Sequence, residues 1–315
     1  MVAFLEVPEN VSDRQTLEGV VYLRNINYGT THSGSTYASG TLLTKGGKQY
    51  QFKKWSTDHL DAGAYQVNSR WNVYKGTGSI IVDTVTPIDM ASSGISMADF
   101  LPSVYDADKL WNDLLEMLRN SVSEKGMRLF NLFVFGRDGR SDVEVERFKN
   151  EFAAIYHHDN VPHGLLAHSY KVGRILVNII NDPLYPFHSM SQEFKDIVIV
   201  GGTLHDFGKI YEYMDGEIAN RGQLLSHRTW ATIRLAGLHG DITTNLYGSK
   251  WYYRLMSIFE QHHGEYEETP RTLEAYLVHL ADSFEANVTS CAEGLNEALS
   301  SPTKQTNIAG FKLTV

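Results

Sequence analysis

A single cysteine, Cys291, stands among 315 residues, so neither an internal disulfide nor a cysteine-built metal cage can form. One thiol fits a reducing compartment. A catalytic thiol is the sharper reading of Cys291, and a small residue near a helix end is the favoured one. Long apolar runs are also missing. The strongest, Ile197-Val198-Ile199-Val200, is cut short by Gly201-Gly202, whereas a bilayer crossing needs about 20 such residues. Residues 1–8 carry no basic segment leading into an apolar one, so no secretory signal is expected and a cytoplasmic location is. Positive charge is scarce as well: 28 Lys+Arg against 37 Asp+Glu leave a net −9, which argues against a protein that coats duplex DNA through bulk electrostatics. The deficit is uneven, since residues 1–90 hold 8 basic and 8 acidic side chains and the remainder 20 and 29. A polyanion therefore meets least repulsion at the N-terminal part, and divalent cations would offset the acidity elsewhere.

What is present falls into two patterns. Residues 1–90 read as β. Short runs rich in β-branched and aromatic residues (20–23, 37–43, 50–52, 73–74 and 80–82) are separated by turns such as Lys45-Gly46-Gly47-Lys48 and Lys75-Gly76-Thr77-Gly78. Several short strands with glycine-rich turns predict a small closed barrel. Residues 91–105 read as a linker. From 106 to 300 the period becomes helical, with helices expected near 111–118, 143–155, 165–179, 194–204, 225–238, 251–260 and 273–288. The stretch 301–315 is polar at its start and expected to be a loose tail.

Eleven of the 13 histidines lie between His157 and His279. Clustering alone says little, but the order is informative. His168 sits on one predicted helix. His205-Asp206 ends the next, His227 opens another, His262-His263 closes a fourth, and Asp282 lies among Leu277, Leu280, Ala281 and Phe284 on a fifth. An aspartate in such apolar company is costly to bury unpaired. Each oxygen of Asp206 has lone pairs, so one carboxylate can serve two ions. Two sites sharing Asp206 are expected: His168, His205, Asp206 and Asp282 in one, and Asp206, His227, His262 and His263 in the other. Both are nitrogen/oxygen shells suited to manganese, iron, cobalt, nickel or zinc. A lone His-Asp pair is common and usually carries no function. His157, His158, His163, His188, His239 and His279 are read as bland, with His157-His158 a candidate for reaching substrate.

That series resembles the HD superfamily of metal-dependent phosphohydrolases. At finer grain, His157-His158-Asp159-Asn160-Val161 with Gly164-Leu165-Leu166-Ala167-His168 resembles the YhaM-type 3′-to-5′ exoribonucleases. So do Leu204-His205-Asp206-Phe207-Gly208-Lys209, Gly222-Gln223-Leu224-Leu225-Ser226-His227, His262-His263-Gly264-Glu265 and Leu280-Ala281-Asp282-Ser283-Phe284-Glu285-Ala286. The resemblance implies an OB-fold barrel followed by an all-α HD domain, a divalent metal (manganese typically, in one or two ions) and removal of nucleotides from a 3′ end. It also implies self-association into a homo-oligomer. By the same resemblance Asp206 is the catalytic bridging ligand. Lys209 either holds a phosphate oxygen or is a helix-end cation. The Gly-Tyr-Pro run of cyclic-dinucleotide phosphodiesterases is missing after His262-His263.

Lys48, Tyr50, Phe52, Lys53, Lys54 and Trp55 interleave charge with aromatic rings, as single-strand-binding barrels do. Phe52 and Trp55 are read as barrel core. Tyr50, Lys53 and Lys54 are the candidates for contact with single-stranded RNA or DNA. Two other readings stand beside the exonuclease: a nucleotide, deoxynucleotide or cyclic-nucleotide phosphohydrolase, and a non-catalytic single-strand-binding protein with a retired HD site. The intact ligand set speaks against the last.

Overall fold

The structure is a computed structural model describing residues 3–314, apart from 32, 56–58, 75–76, 138, 140–141, 156–158, 215, 265–267, 301–304 and 309–310. It divides into two compact units, Met1–Ser103 and Val104–Val315.

The first unit is a closed barrel of β1 (Thr16–Thr30), β2 (Thr36–Leu43), β3 (Gln49–Lys54), β4 (Gly63–Tyr74) and β5 (Thr77–Pro87). The strand order is β1-β2-β3-β5-β4. Every pair is antiparallel except β3 with β5, as in an OB-fold. β1 is long enough to pair with both β2 and β4 because it bends: the register slips between Arg24 and Asn27, and Asn25 adopts φ 56°, a bulge that raises local twist. Side-chain alternation then points Val21, Leu23, Leu42, Phe52, Val67, Ile80 and Val82 into one apolar core.

Residues 91–103, expected as part of a linker, pack instead on this unit. Two short helices, α1 (Met90–Ser93) and α2 (Met97–Phe100), bring Phe100 into complete burial against the rings of Phe4 and Tyr22. The reason is apolar content: Ile95, Met97, Phe100 and Leu101 are all buried, and that surface is better removed from water than strung out.

The second unit is helical. It runs through α3 (Ala107–Ser121), α4 (Glu124–Phe135), α5 (Asp142–Asn150), α6 (Gly164–Asn181), α7 (Gln192–Leu204), α8 (Lys209–Glu212), α9 (His227–Gly237), α10 (His239–Asn245), α11 (Ser249–Gln261) and α12 (Leu273–Ser300). Side-chain caps start several of them: Asp106 accepts from the Lys109 amide, Ser123 from Gly126 and Ser191 from Phe194. α7 is the central element, buried from Ile197 to Leu204. Gly202 explains how closely it is approached, since a Cβ there would lie 2.1 Å from Leu176 on α6. α6, α11 and α12 all pack on α7. No helix among the described residues is long and apolar enough to cross a membrane.

Three expectations change here. The helix expected over 143–155 stops at Asn150, and Phe152, Ala153, Ala154 and Ile155 form a buried non-helical segment instead. α12 runs on to Ser300, so Cys291 is exposed along a helix rather than near its end. In the tail, β8 (Gln305–Ile308) and β9 (Phe311–Thr314) pair as a hairpin. A two-residue ladder between α8 and α9, β6 (Tyr213–Met214) with β7 (Glu217–Ile218), completes the unit.

Candidate metal centre

Helix ends deliver the ligands. His205 caps α7 and Asp206 follows in the turn; His262 caps α11 and His263 follows; His227 is the first residue of α9. His168 and Asp282 come from within α6 and α12. The turn after Asp206 lies so close to α9 that a Cβ on Gly208 would sit 1.9 Å from the His227 carbonyl oxygen. Glycine at 208 is thus what lets His227 approach Asp206.

All seven sequence candidates converge. Asp206, His227, His262 and His263 form one group with ligand atoms within 4.8 Å of one another, and His168, His205 and Asp282 form a second. Asp206 faces both. Its Oδ1 lies 3.4 Å from His227 Nε2 and 3.6 Å from His262 Nε2. Its Oδ2 lies 3.4 Å from both His168 Nε2 and His205 Nε2. Asp282 Oδ1 is 3.1 Å from His168 Nε2 and 3.6 Å from His205 Nε2.

The backs of the rings fix which nitrogen faces inward. His168 Nδ1 donates to Glu285 Oε2 at 2.6 Å, and His227 Nδ1 to Glu212 Oε2 at 2.6 Å. His205 Nδ1 donates to the Gly202 carbonyl at 2.7 Å, and His262 Nδ1 to the Phe259 carbonyl at 3.1 Å. Each partner only accepts, so every one of these Nδ1 atoms carries a proton and Nε2 is the nitrogen turned to the centre. At the centre three buried atoms find no hydrogen-bond partner among the described residues: Asp206 Oδ1, His227 Nε2 and His262 Nε2. Lone pairs aimed at one another without a proton between them are a costly arrangement. A cation removes the cost, so the donor set fits a divalent metal.

The electrostatics separate the two groups. Burial would depress the His168 and His205 pKa values, but Asp282 and Glu285 raise the first to about 9, and Asp206 and Asp282 raise the second to about 10. His262 goes the other way: burial pushes it down to about 3, with Asp206 opposing only in part. Against the cost of burial, Lys209 and His205 hold Asp206 well below the usual carboxylate range, and His168 and His205 do the same for Asp282.

Lys209, the first residue of α8, is tied into the site. Its Nζ donates to Asp206 Oδ2 and to the Ala153 carbonyl, both at 2.6 Å. His163, His188 and His239 lie outside both groups, and His279 donates to the His262 carbonyl at 2.8 Å. His157 and His158, and Glu265 with them, lie outside the described residues. Glu212 and Glu285 were missed as site residues. Their signal was present: each sits one helical turn beyond a candidate, Glu212 after Lys209 and Glu285 after Asp282.

On the barrel, the alternation of β3 decides the candidates. Phe52 is core, as expected. Lys54 shares its parity and is only 8% exposed, so it is not an open contact. Tyr50 is half-buried, edge-on to Trp71 with ring centroids 5.9 Å apart. Trp55, expected inside, is 48% exposed. Lys53 keeps its outward place, with Nζ 4.2 Å from the Tyr37 ring centroid and 5.2 Å from that of Trp55.

Residues 165–287 match the family model described as HD domain. The matched segment lies within the helical unit and runs from α6 into α12. A relative 28% identical over 153 residues is the dihydroneopterin 2′,3′-cyclic phosphate phosphodiesterase of Methanocaldococcus jannaschii; the match covers 47% of this chain and 56% of the relative. The chain thus spans little more than half the length of that relative. No solved structure matches. HD domains are metal-dependent, and the paired groups around Asp206 are where this one can hold its metal.

Proposed function

We propose that the helical unit is a divalent-metal-dependent phosphodiesterase acting on small phosphodiesters of the nucleotide or cyclic-phosphate class. The observation that carries this reading is Asp206, a buried carboxylate whose two oxygens face two separate groups of inward-pointing histidine nitrogens. A divalent metal held there supplies Lewis acidity toward a phosphoryl oxygen and lowers the pKa of water. The chain does the rest. Asp206 is common to both groups, Lys209 anchors its Oδ2, and Glu212 and Glu285 set the histidine tautomers. Asp282 and His263 are the less buried members, so each group is reached from solvent past one of its own ligands. The relative's name supports a diester, and a cyclic one, over a monoester.

A second reading, a 3′-to-5′ exonuclease of single strands with RNA favoured, draws on the barrel. Arg14, Lys53, Trp55, Arg70, Trp71 and Tyr74 line a groove of about 630 Å³ that combines cations with rings on which bases can stack.

One assay tests both. The purified chain with manganese is offered a 2′,3′-cyclic nucleotide, end-labelled RNA and DNA oligomers, and free nucleotides. Metal-dependent opening of the cyclic phosphate, lost in Asp206→Ala, supports the first reading. Stepwise shortening of the oligomer from its 3′ end supports the second. No hydrolysis of any substrate, or full turnover by Asp206→Ala at saturating manganese, overturns the phosphodiesterase.

A further inference from the structure

Behind His168, on the side away from Asp206, lies a second layer of buried charge. Glu285 spends Oε2 on His168 Nδ1 at 2.6 Å; its Oε1 accepts from Thr289 Oγ1 at 2.5 Å and lies 3.1 Å from Lys171 Nζ. Lys171 Nζ is held in turn by Asp159 Oδ1 and Oδ2 at 2.9 and 2.8 Å, and it donates to the Tyr105 hydroxyl and Thr289 Oγ1, each at 3.1 Å. Tyr105 donates to Asp159 Oδ1 at 2.5 Å. Asp159 and Glu285 are almost fully buried. Asp159 also occupies a left-handed backbone conformation, φ 54°, which non-glycine residues seldom adopt and which asparagine and aspartate tolerate best. Asp159, His168 and Glu285 lie close enough to resemble a third metal group, but the carboxylate oxygens of both acids are already engaged by Lys171, Tyr105, Thr289 and His168. The layer therefore holds a ligand rather than an ion.

Its charge does not balance alone. Asp159 and Glu285 face the one Lys171 ammonium, and Glu293, which accepts from the Asp159 amide at 3.3 Å, adds a third carboxylate; the excess is negative, and Glu285 directs it onto the back of the His168 ring. Buried charge is tolerated only when compensated, and the compensation available lies across the ring, where Nε2 meets the group formed with His205 and Asp282. An outer carboxylate of this kind fixes the tautomer and strengthens the inward nitrogen as a donor.

We propose that Glu285, kept in aim by Lys171, Thr289 and Asp159, is the positioning residue of His168 and sets the affinity of the His168–His205–Asp282 group for its ion. This rests on the metal-binding reading of the site. Glu212, which bonds His227 in the other group, supplies an internal comparison. Glu285→Gln can keep an acceptor for Nδ1 but removes the charge and turns its other end from an acceptor into a donor toward Thr289 and Lys171; Glu285→Ala removes charge and acceptor together; Lys171→Met releases the carboxylate.

The test is calorimetric titration of the full, metal-stripped chain with manganese alone, with elemental analysis of bound metal and far-UV circular dichroism beside it. For Glu285→Gln we expect one of two binding events to weaken by roughly 10–100-fold and the other to stay at the wild-type value. Lys171→Met should weaken the same event by less, and Glu212→Gln the other event. Should Glu285→Ala fail to fold, Glu285→Gln, close in shape, still decides. If folded Glu285→Gln binds both ions as wild type does, the positioning role is wrong although the metal site stands. If wild type binds no manganese, the metal reading itself fails.

Discussion

The two units keep their candidate functional side chains in opposite places. In the helical unit, His168, His205, Asp206, His227 and His262 are buried, and their ring nitrogens are oriented from behind by carboxylates or backbone carbonyls. In the barrel the central cluster is apolar and Arg24 and Lys54 are buried singly, while the candidate contact side chains Lys53, Arg70 and Trp55 reach the surface. A buried polar cluster must be compensated by something specific, so its composition points to a particular partner. A solvated patch costs little to keep, and its composition points only to a class of partner. Substitutions in the two regions should therefore differ in kind.

The largest effect is expected at the shared carboxylate. Asp206→Ala should abolish hydrolysis of a small cyclic diester and strip metal from both groups, as read by turnover and by elemental analysis. A barrel substitution with the same result on that small substrate would break the comparison. Next comes pH. In the ion-free protein, Asp282 and Glu285 overcome burial to hold a proton on His168 up to about 9, and Asp206 and Asp282 do so on His205 up to about 10. An entering cation must displace these protons, so manganese affinity should rise as pH climbs from 7 toward 9. Titrations in buffers of different ionisation enthalpy should show protons released at pH 7; metal uptake without proton release would contradict this.

Smaller effects are expected on the barrel. Trp55→Ala should weaken binding of a single-stranded oligomer by about 1–3 kcal/mol, measured by fluorescence anisotropy, while turnover of the small diester stays unchanged. Smallest is Lys53→Ala, which should reduce the salt dependence of oligomer binding by about 0.7 in the log–log slope. An unchanged slope would remove Lys53 from the contact.

How much of this could be read beforehand differs between the units for a physical reason. The barrel's five strands and the helical unit's ligand helices are visible as period-2 and period-3.6 patterns, and the metal group is visible as histidines and aspartates placed where helices end. Lys54 shows where parity was overlooked: two residues after buried Phe52 on the same strand, it had to share the inward face. α4 was not anticipated, because its apolar residues Leu129, Phe130, Leu132, Phe133, Val134 and Phe135 run together without a clean helical stripe. Glu212 and Glu285 look like ordinary acidic residues on helix faces. Their one-turn spacing from Lys209 and Asp282 puts them beside the site, and packing then aims one at His227 and the other at His168. The Lys171–Asp159 pair is silent, since its members meet through a loop whose backbone turns at Asp159.

The most direct test is crystallographic. Crystals of the chain grown with manganese, with data collected at the metal's absorption edge, should show anomalous density at Asp206, one peak beside His227, His262 and His263 and a second beside His168, His205 and Asp282. Manganese bound elsewhere, or no anomalous density at Asp206 with the metal in excess, would contradict the account.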